Sequence, residues 1–185
     1  MNRLKLYFIF VLTFFFSAAY LANKNYAQKK HTQAEFIKMY APIWQEATAQ
    51  VIEIGEAMPE DKFSYKPTEE SKTFAEQLVH IANSSYVLSQ LMLKGQKVDM
   101  NEPDANKMTK AEILAFIKEK MDDAALVMAS VSESELKEMV KTFAGNEMPK
   151  QQAIIWIHDH VTNHKAKANL YVRMNEIEPP AYRYY

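Results

Sequence analysis

His160 and His164 stand four residues apart in a stretch whose apolar residues recur at helical spacing. At about 100° per residue they share an arc with Ile157, Val161, Ala168 and Tyr171. Their Cβ atoms are then roughly 5–6 Å apart. Imidazoles on the inner face of an amphipathic helix need polar partners, and a metal ion would satisfy both, because neutral imidazole is a good ligand for zinc, nickel or iron. His80 lies at the edge of another apolar arc, on the side of Val87 and Leu91, so packed helices can bring it to the pair. Three histidines with coordination positions left open suit a reactive metal site better than a closed structural one. Taken alone, the same residues are equally compatible with core histidines held by hydrogen bonds. His158 falls about 160° around the helix from His160, so it and His31 read as ordinary polar residues. Glu76 reads as a helix cap rather than a ligand. Tyr171, on the His160 face, reads as a substrate or water contact or as a packing residue.

The rest of the composition narrows the chemistry. The 185 residues contain no cysteine and three glycines, with a formal charge of -1. Disulfides, thiolate-bound zinc, a thiol nucleophile and a lipoprotein anchor are excluded. No basic run interleaved with aromatics suggests a nucleic-acid groove. Any metal must be held by histidine, carboxylate or water.

Four helices must position these side chains. The first is predicted over 33–57, with Phe36, Tyr40, Ile43, Ala47, Val51 and Ile54 as its stripe. Pro42 should kink it or start its main segment. The second opens on a capping box, Thr73 to Glu76, and closes at Gly95. Phe74, Leu78, Ile81, Leu88 and Met92 face inward. A polar loop containing Pro103 follows. The third starts on a second capping box, Thr109 to Glu112, and carries Ile113, Phe116, Ile117, Met121, Ala124 and Met128. Residues 132–141 read as a short helix or a bent continuation, and Phe143-Ala144-Gly145-Asn146 as a turn. The fourth helix begins near Pro149 and runs to about Asn175, with Ile154, Ile157, Val161, Ala168 and Val172 inside. With no strand signal, an all-α antiparallel four-helix bundle is expected, without sheet and with Trp44 and Trp156 at least partly buried.

Three segments resemble the DinB/YfiT-like superfamily. Ala57-Met58-Pro59-Glu60-Asp61-Lys62-Phe63-Ser64-Tyr65-Lys66-Pro67 is similar to the family's connector after its first helix. Phe74-Ala75-Glu76-Gln77-Leu78-Val79-His80-Ile81-Ala82 is similar to its second-helix motif ending in a ligand histidine. His160-Val161-Thr162-Asn163-His164 matches the HxxxH of its fourth helix. There the family has an arginine nine residues after the second histidine and then a turn ending in prolines; Arg173, Pro179 and Pro180 keep that pattern. The resemblance implies a bundle with one divalent metal on His80, His160 and His164, zinc or nickel in the first place and iron or manganese as alternatives. The chain departs from the family where Asn163 replaces a frequent histidine and Lys165-Ala166-Lys167 replaces Arg-Gly-Gln. Alanine there should loosen close helix packing, and lysine removes an amide.

The expected activity is that of a metal-dependent hydrolase or transferase acting on an unidentified small molecule. The alternatives are a non-catalytic, stress-related metal-binding bundle and a hemerythrin-like di-iron protein. The last is disfavoured because Ser84 stands where a carboxylate should follow His80. A homodimer is the oligomer to test for. Residues 1–27 read as an export signal. Arg3 and Lys5 precede a Phe-rich apolar run, and small residues follow it, with cleavage after Ala19 or Ala27. The bundle then occupies 28–185, in the periplasm or outside the cell and without stable membrane association. An uncleaved segment would instead be a membrane anchor, since residues 4–22 approach the roughly 20 needed to span.

Overall fold

The computed structural model describes residues 34–143 and 145–183. The expected export signal, both of its cleavage positions and His31 lie outside the described residues. Four helices carry the fold: α1 (Glu35–Ala57), α2 (Phe74–Lys94), α3 (Lys110–Ala129) and α4 (Lys150–Met174). α1 begins well before Pro42, so the proline sits inside the helix, on an exposed position, and does not start it.

The local signals act where the sequence puts them. Thr73 accepts from the Glu76 backbone N–H at 3.1 Å while Glu76 accepts from the Thr73 N–H at 2.7 Å. Thr109 and Glu112 repeat the arrangement. Gly95 ends α2 at φ 66°, a left-handed conformation that side chains other than glycine's resist. The inward stripes meet in one core, in which Trp44, Phe74, Leu78, Ile113, Met121 and Ile157 are all buried. Burial of each such side chain stabilises by roughly 1.5–3 kcal/mol. Trp44 also donates from Nε1 to the Met121 carbonyl at 3.0 Å, and Trp156 is half-buried.

The four helices form the expected bundle, with α2 packed against α3 and α4, and α1 against the same two. The cross-links reveal the directions. Trp44 reaches Met121 and Lys110 reaches Glu56, so α1 and α3 are antiparallel. His80 meets His160 and Gln77 meets His164, so α2 and α4 are antiparallel. Glu76 meets Asn106 just ahead of α3, and Tyr86 meets Lys120 within it, so α2 and α3 run the same way. The chain between them must therefore return along α2. Asn83 contacts Met100, His80 contacts Glu102, and Glu76 contacts Asn106, one after another down the helix. That return explains the length of the polar loop.

Two expectations need correction. Residues 132–141 are not helical throughout. They form a 3-10 turn (Glu135–Lys137) and then a strand, β1 (Met139–Lys141). β1 pairs antiparallel with β2 (Glu147–Pro149) around the expected turn, where Gly145 takes φ 84°. A small hairpin thus replaces the expected absence of sheet. Three-residue strands are too short to give a period-two signal, and Pro149 both closes β2 and precedes α4. Among the described residues no helix is long and apolar enough to cross a membrane.

Candidate metal centre

The antiparallel pair α2 and α4 builds the centre. His80 sits two turns into α2, after the capping box that fixes where the helix starts. His160 and His164 sit one turn apart on α4. One ligand atom from each of the three imidazoles can be chosen so that all lie within 4.8 Å of one another. The ring centroids are 4.4–5.2 Å apart. All three residues are partly buried, so the cluster is neither sealed in the core nor spread on the surface.

Partners assign the ring nitrogens. His164 Nδ1 lies 2.8 Å from Gln77 Oε1, and Gln77 is itself buried. An amide oxygen can only accept, so His164 carries its proton on Nδ1 and keeps a lone pair on Nε2. His80 Nδ1 is hydrogen-bonded to the Glu102 carboxylate, which leaves Nε2 as its acceptor. That atom faces His160 Nε2 at 3.2 Å. Ligand histidines commonly have their second nitrogen held in this way, which orients the ring and fixes its tautomer.

The electrostatics favour the neutral form of His160 and His164. Burial, followed by the charges of His80, His160, Lys167 and Lys72, pushes the His164 imidazole down to about 3. Burial and then His80 lower His160 as well. A neutral imidazole with its second nitrogen held is the state a divalent cation requires, and His164 has both features. The donor set therefore fits one metal ion.

His80, His160 and His164 come together. Tyr171 is buried and packs edge-on against Tyr65, with ring centroids 5.9 Å apart, about 10 Å along α4 from His164. His158 points toward α1, as its angle on the helix requires, but it is more than an ordinary surface residue. Its Nδ1 lies 2.9 Å from the Tyr40 hydroxyl, and its ring packs edge-on to Trp44. Burial lowers its pKa. Glu76 is a cap. Two residues the sequence reading missed are Gln77 and Glu102. Gln77 could have been found, since it lies three before His80 and so shares its face. Glu102 carried no signal, because only the returning loop brings it to His80. In the divergent stretch, Ala166 is exposed and faces Pro180 and Ala181 beside a small cavity, away from the α2–α4 contact.

Solved structures with this architecture include a DinB-like protein from Bacillus subtilis, at 20% identity and a TM-score of 0.64, covering 78% of this chain and 97% of that one. A DinB-like protein from Bacillus cereus matches at 15% identity and a TM-score of 0.63, covering 78% and 95%. A mycothiol-dependent maleylpyruvate isomerase matches at 12% identity and a TM-score of 0.57, covering 70% of this chain and 59% of that one. At these identities the likeness is one of fold. A comparison with curated proteins finds no match. The sequence model of the DinB superfamily matches residues 43–167, more than half of the chain and a span that includes all three histidines. The chain belongs to the DinB superfamily.

Proposed function

We propose that this protein is a metal-dependent enzyme of the hydrolase or transferase type, with one divalent ion held by His80, His160 and His164. The observation that carries the reading is the convergence of three imidazole ligand atoms within 4.8 Å of one another, from two helices. A bound ion with open positions supplies Lewis acidity there. The chain's own residues orient and tune. Gln77 holds the His164 ring by its Nδ1, Glu102 holds His80 by its Nδ1, and burial keeps His164 and His160 unprotonated. One solved relative in fold is a mycothiol-dependent isomerase, which supports small-molecule chemistry on this scaffold without naming the substrate here.

A di-iron reading draws no support from the second helix. Ser84, one turn after His80, uses its hydroxyl to donate to the His80 carbonyl at 2.6 Å. The test is elemental analysis of protein purified from its native compartment, followed by a panel of hydrolase and thiol-transfer substrates. Near one equivalent of a divalent metal with turnover supports the enzyme. Bound metal without turnover on any substrate favours a non-catalytic metal-binding bundle, and no bound metal rejects both.

Export of the mature chain to the periplasm or beyond belongs to the same proposal. It rests on Arg3, Lys5 and the apolar run before Ser17, Ala18 and Ala19. N-terminal sequencing should find a chain starting after Ala19 or Ala27. An intact Met1 on cytoplasmic protein rejects it.

A further inference from the structure

The register of α2 against α4 decides which residues lie beyond the histidines. Gln77 is level with His164 and His80 with His160. Moving one turn further along α4 therefore brings Lys167 level with the first turn of α2, and Lys72 stands just ahead of the cap of that turn. His160, His164 and Lys167 are spaced by four and three residues, so they share one face of α4. Lys72 is joined to the centre from the other side. The Glu102 carboxylate bridges the Lys72 Nζ, at 3.4 Å, and the His80 ring. Lys167 is exposed and the Lys72 side chain is 40% exposed, so both ammonium groups keep donors free for a ligand from solvent. Of the acidic groups nearby, Glu76 accepts from the Thr73 backbone and from Asn106 and also feels the Lys72 charge. Glu102 is shared between His80 and Lys72, and Asp159 precedes His160 on α4, farther from Lys167 than either ligand histidine.

Resting on the metal reading above, we propose that this centre takes a small molecule bearing an anionic group. Lys72 and Lys167 receive the anion, and the reacting atom reaches the histidine triad about one helical turn, roughly 5.4 Å, away. Lysine acts as a compact point charge and does not select planar over tetrahedral geometry. The shared chemistry is therefore a carboxylate or a tetrahedral oxyanion.

The test uses protein loaded with cobalt(II) and thiol probes that bind the metal through sulfur. 3-Mercaptopropionate and 2-mercaptoethanesulfonate carry a planar and a tetrahedral anion, and 3-mercaptopropionamide is the neutral match of the first. Titration of the sulfur-to-cobalt absorption band should show at least one anion binding about tenfold tighter than the amide. The two anionic arms identify which geometry is preferred. Lys72→Met and Lys167→Met should each cut that preference by about threefold, while amide affinity and the probe-free cobalt spectrum stay unchanged. Equal binding of amide and both anions, or an unchanged preference in either variant, overturns the proposal. Altered amide affinity or an altered probe-free spectrum in both variants also overturns it, because the lysines would then act on the metal rather than on the ligand. If the wild type shows no cobalt spectrum at all, the metal reading itself fails, and this proposal with it.

Discussion

His164 has its Nδ1 on Gln77 and His80 its Nδ1 on Glu102, so their remaining lone pairs are aimed rather than free to swing. His164→Ala should remove most bound metal while leaving the helices intact, because the apolar stripes and not the imidazoles fill the core. His158→Ala should leave metal content unchanged, since that ring faces Tyr40 and Trp44 on α1. Metal analysis with circular dichroism checks both, and equal metal in wild type and His164→Ala would remove the site. The depressed histidines also make a pH prediction for metal-free protein. His164, His160 and His158 have folded values below the ordinary 6.5, about 3 for His164, with burial as the first cause each time. The unfolded chain then binds protons first as pH falls. The stability these rings contribute is complete above 6.5 and is lost as pH drops through that value toward the folded ones. The urea midpoint of metal-free protein should decline between pH 7 and pH 5.5, before most carboxylates titrate, and less steeply in His164→Asn. A flat midpoint over that range would contradict it.

At the scale of elements, the caps decide where α2 and α3 start. The buried stripe of α2 sets which side His80 takes, and Thr73 and Glu76 fix the first turn ahead of it. The Thr73 backbone N–H is also the first cause of the lowered Glu76 pKa, which keeps the cap ionised. Thr73→Ala should cost about 1 kcal/mol, read as a shift in the urea midpoint, with metal affinity weakened as the first turn frays. An unchanged midpoint would show the box to be dispensable. Gly95 marks the other end, where the left-handed turn sends the chain back along α2. The hairpin of β1 and β2 then carries the chain from α3 to α4, which are not neighbours in the bundle.

The whole molecule adds something no single helix contains. Because α2 and α3 are parallel neighbours, residues 96–109 run beside the metal centre and deliver Glu102 to His80. Metal binding and the seating of this segment should therefore be coupled. Glu102→Ala should weaken metal affinity by roughly 10–100-fold, measured by competition with a chelator. In wild type, bound metal should slow amide exchange across 99–104, and the variant should lose that protection. Unchanged affinity in Glu102→Ala would make the contact incidental. The C-terminal segment is tied down elsewhere. Arg183 pairs with Glu46 and Glu53 on α1, contacts exposed enough to add little stability.

The sequence by itself determined the features set by local physics. Three- and four-residue apolar spacing gave the helices, Thr–x–x–Glu gave two of their starts, and Gly95 gave an end. The i, i+4 step put His160 and His164 on one face and turned His158 away. Resemblance to a family joined His80 to that pair before any packing was known. Tertiary structure decided what depends on contacts between residues far apart in the chain. The parallel run of α2 and α3 is invisible to helical periodicity, since a polar loop looks the same whether it turns back at once or travels the length of a helix. Glu102, 22 residues after His80, reaches it only through that path. The pairing of β1 with β2 likewise depends on strands too short to pattern the sequence. The level of Lys167 along α2 follows from the α2–α4 register, which interlocking side chains set and no single helix encodes.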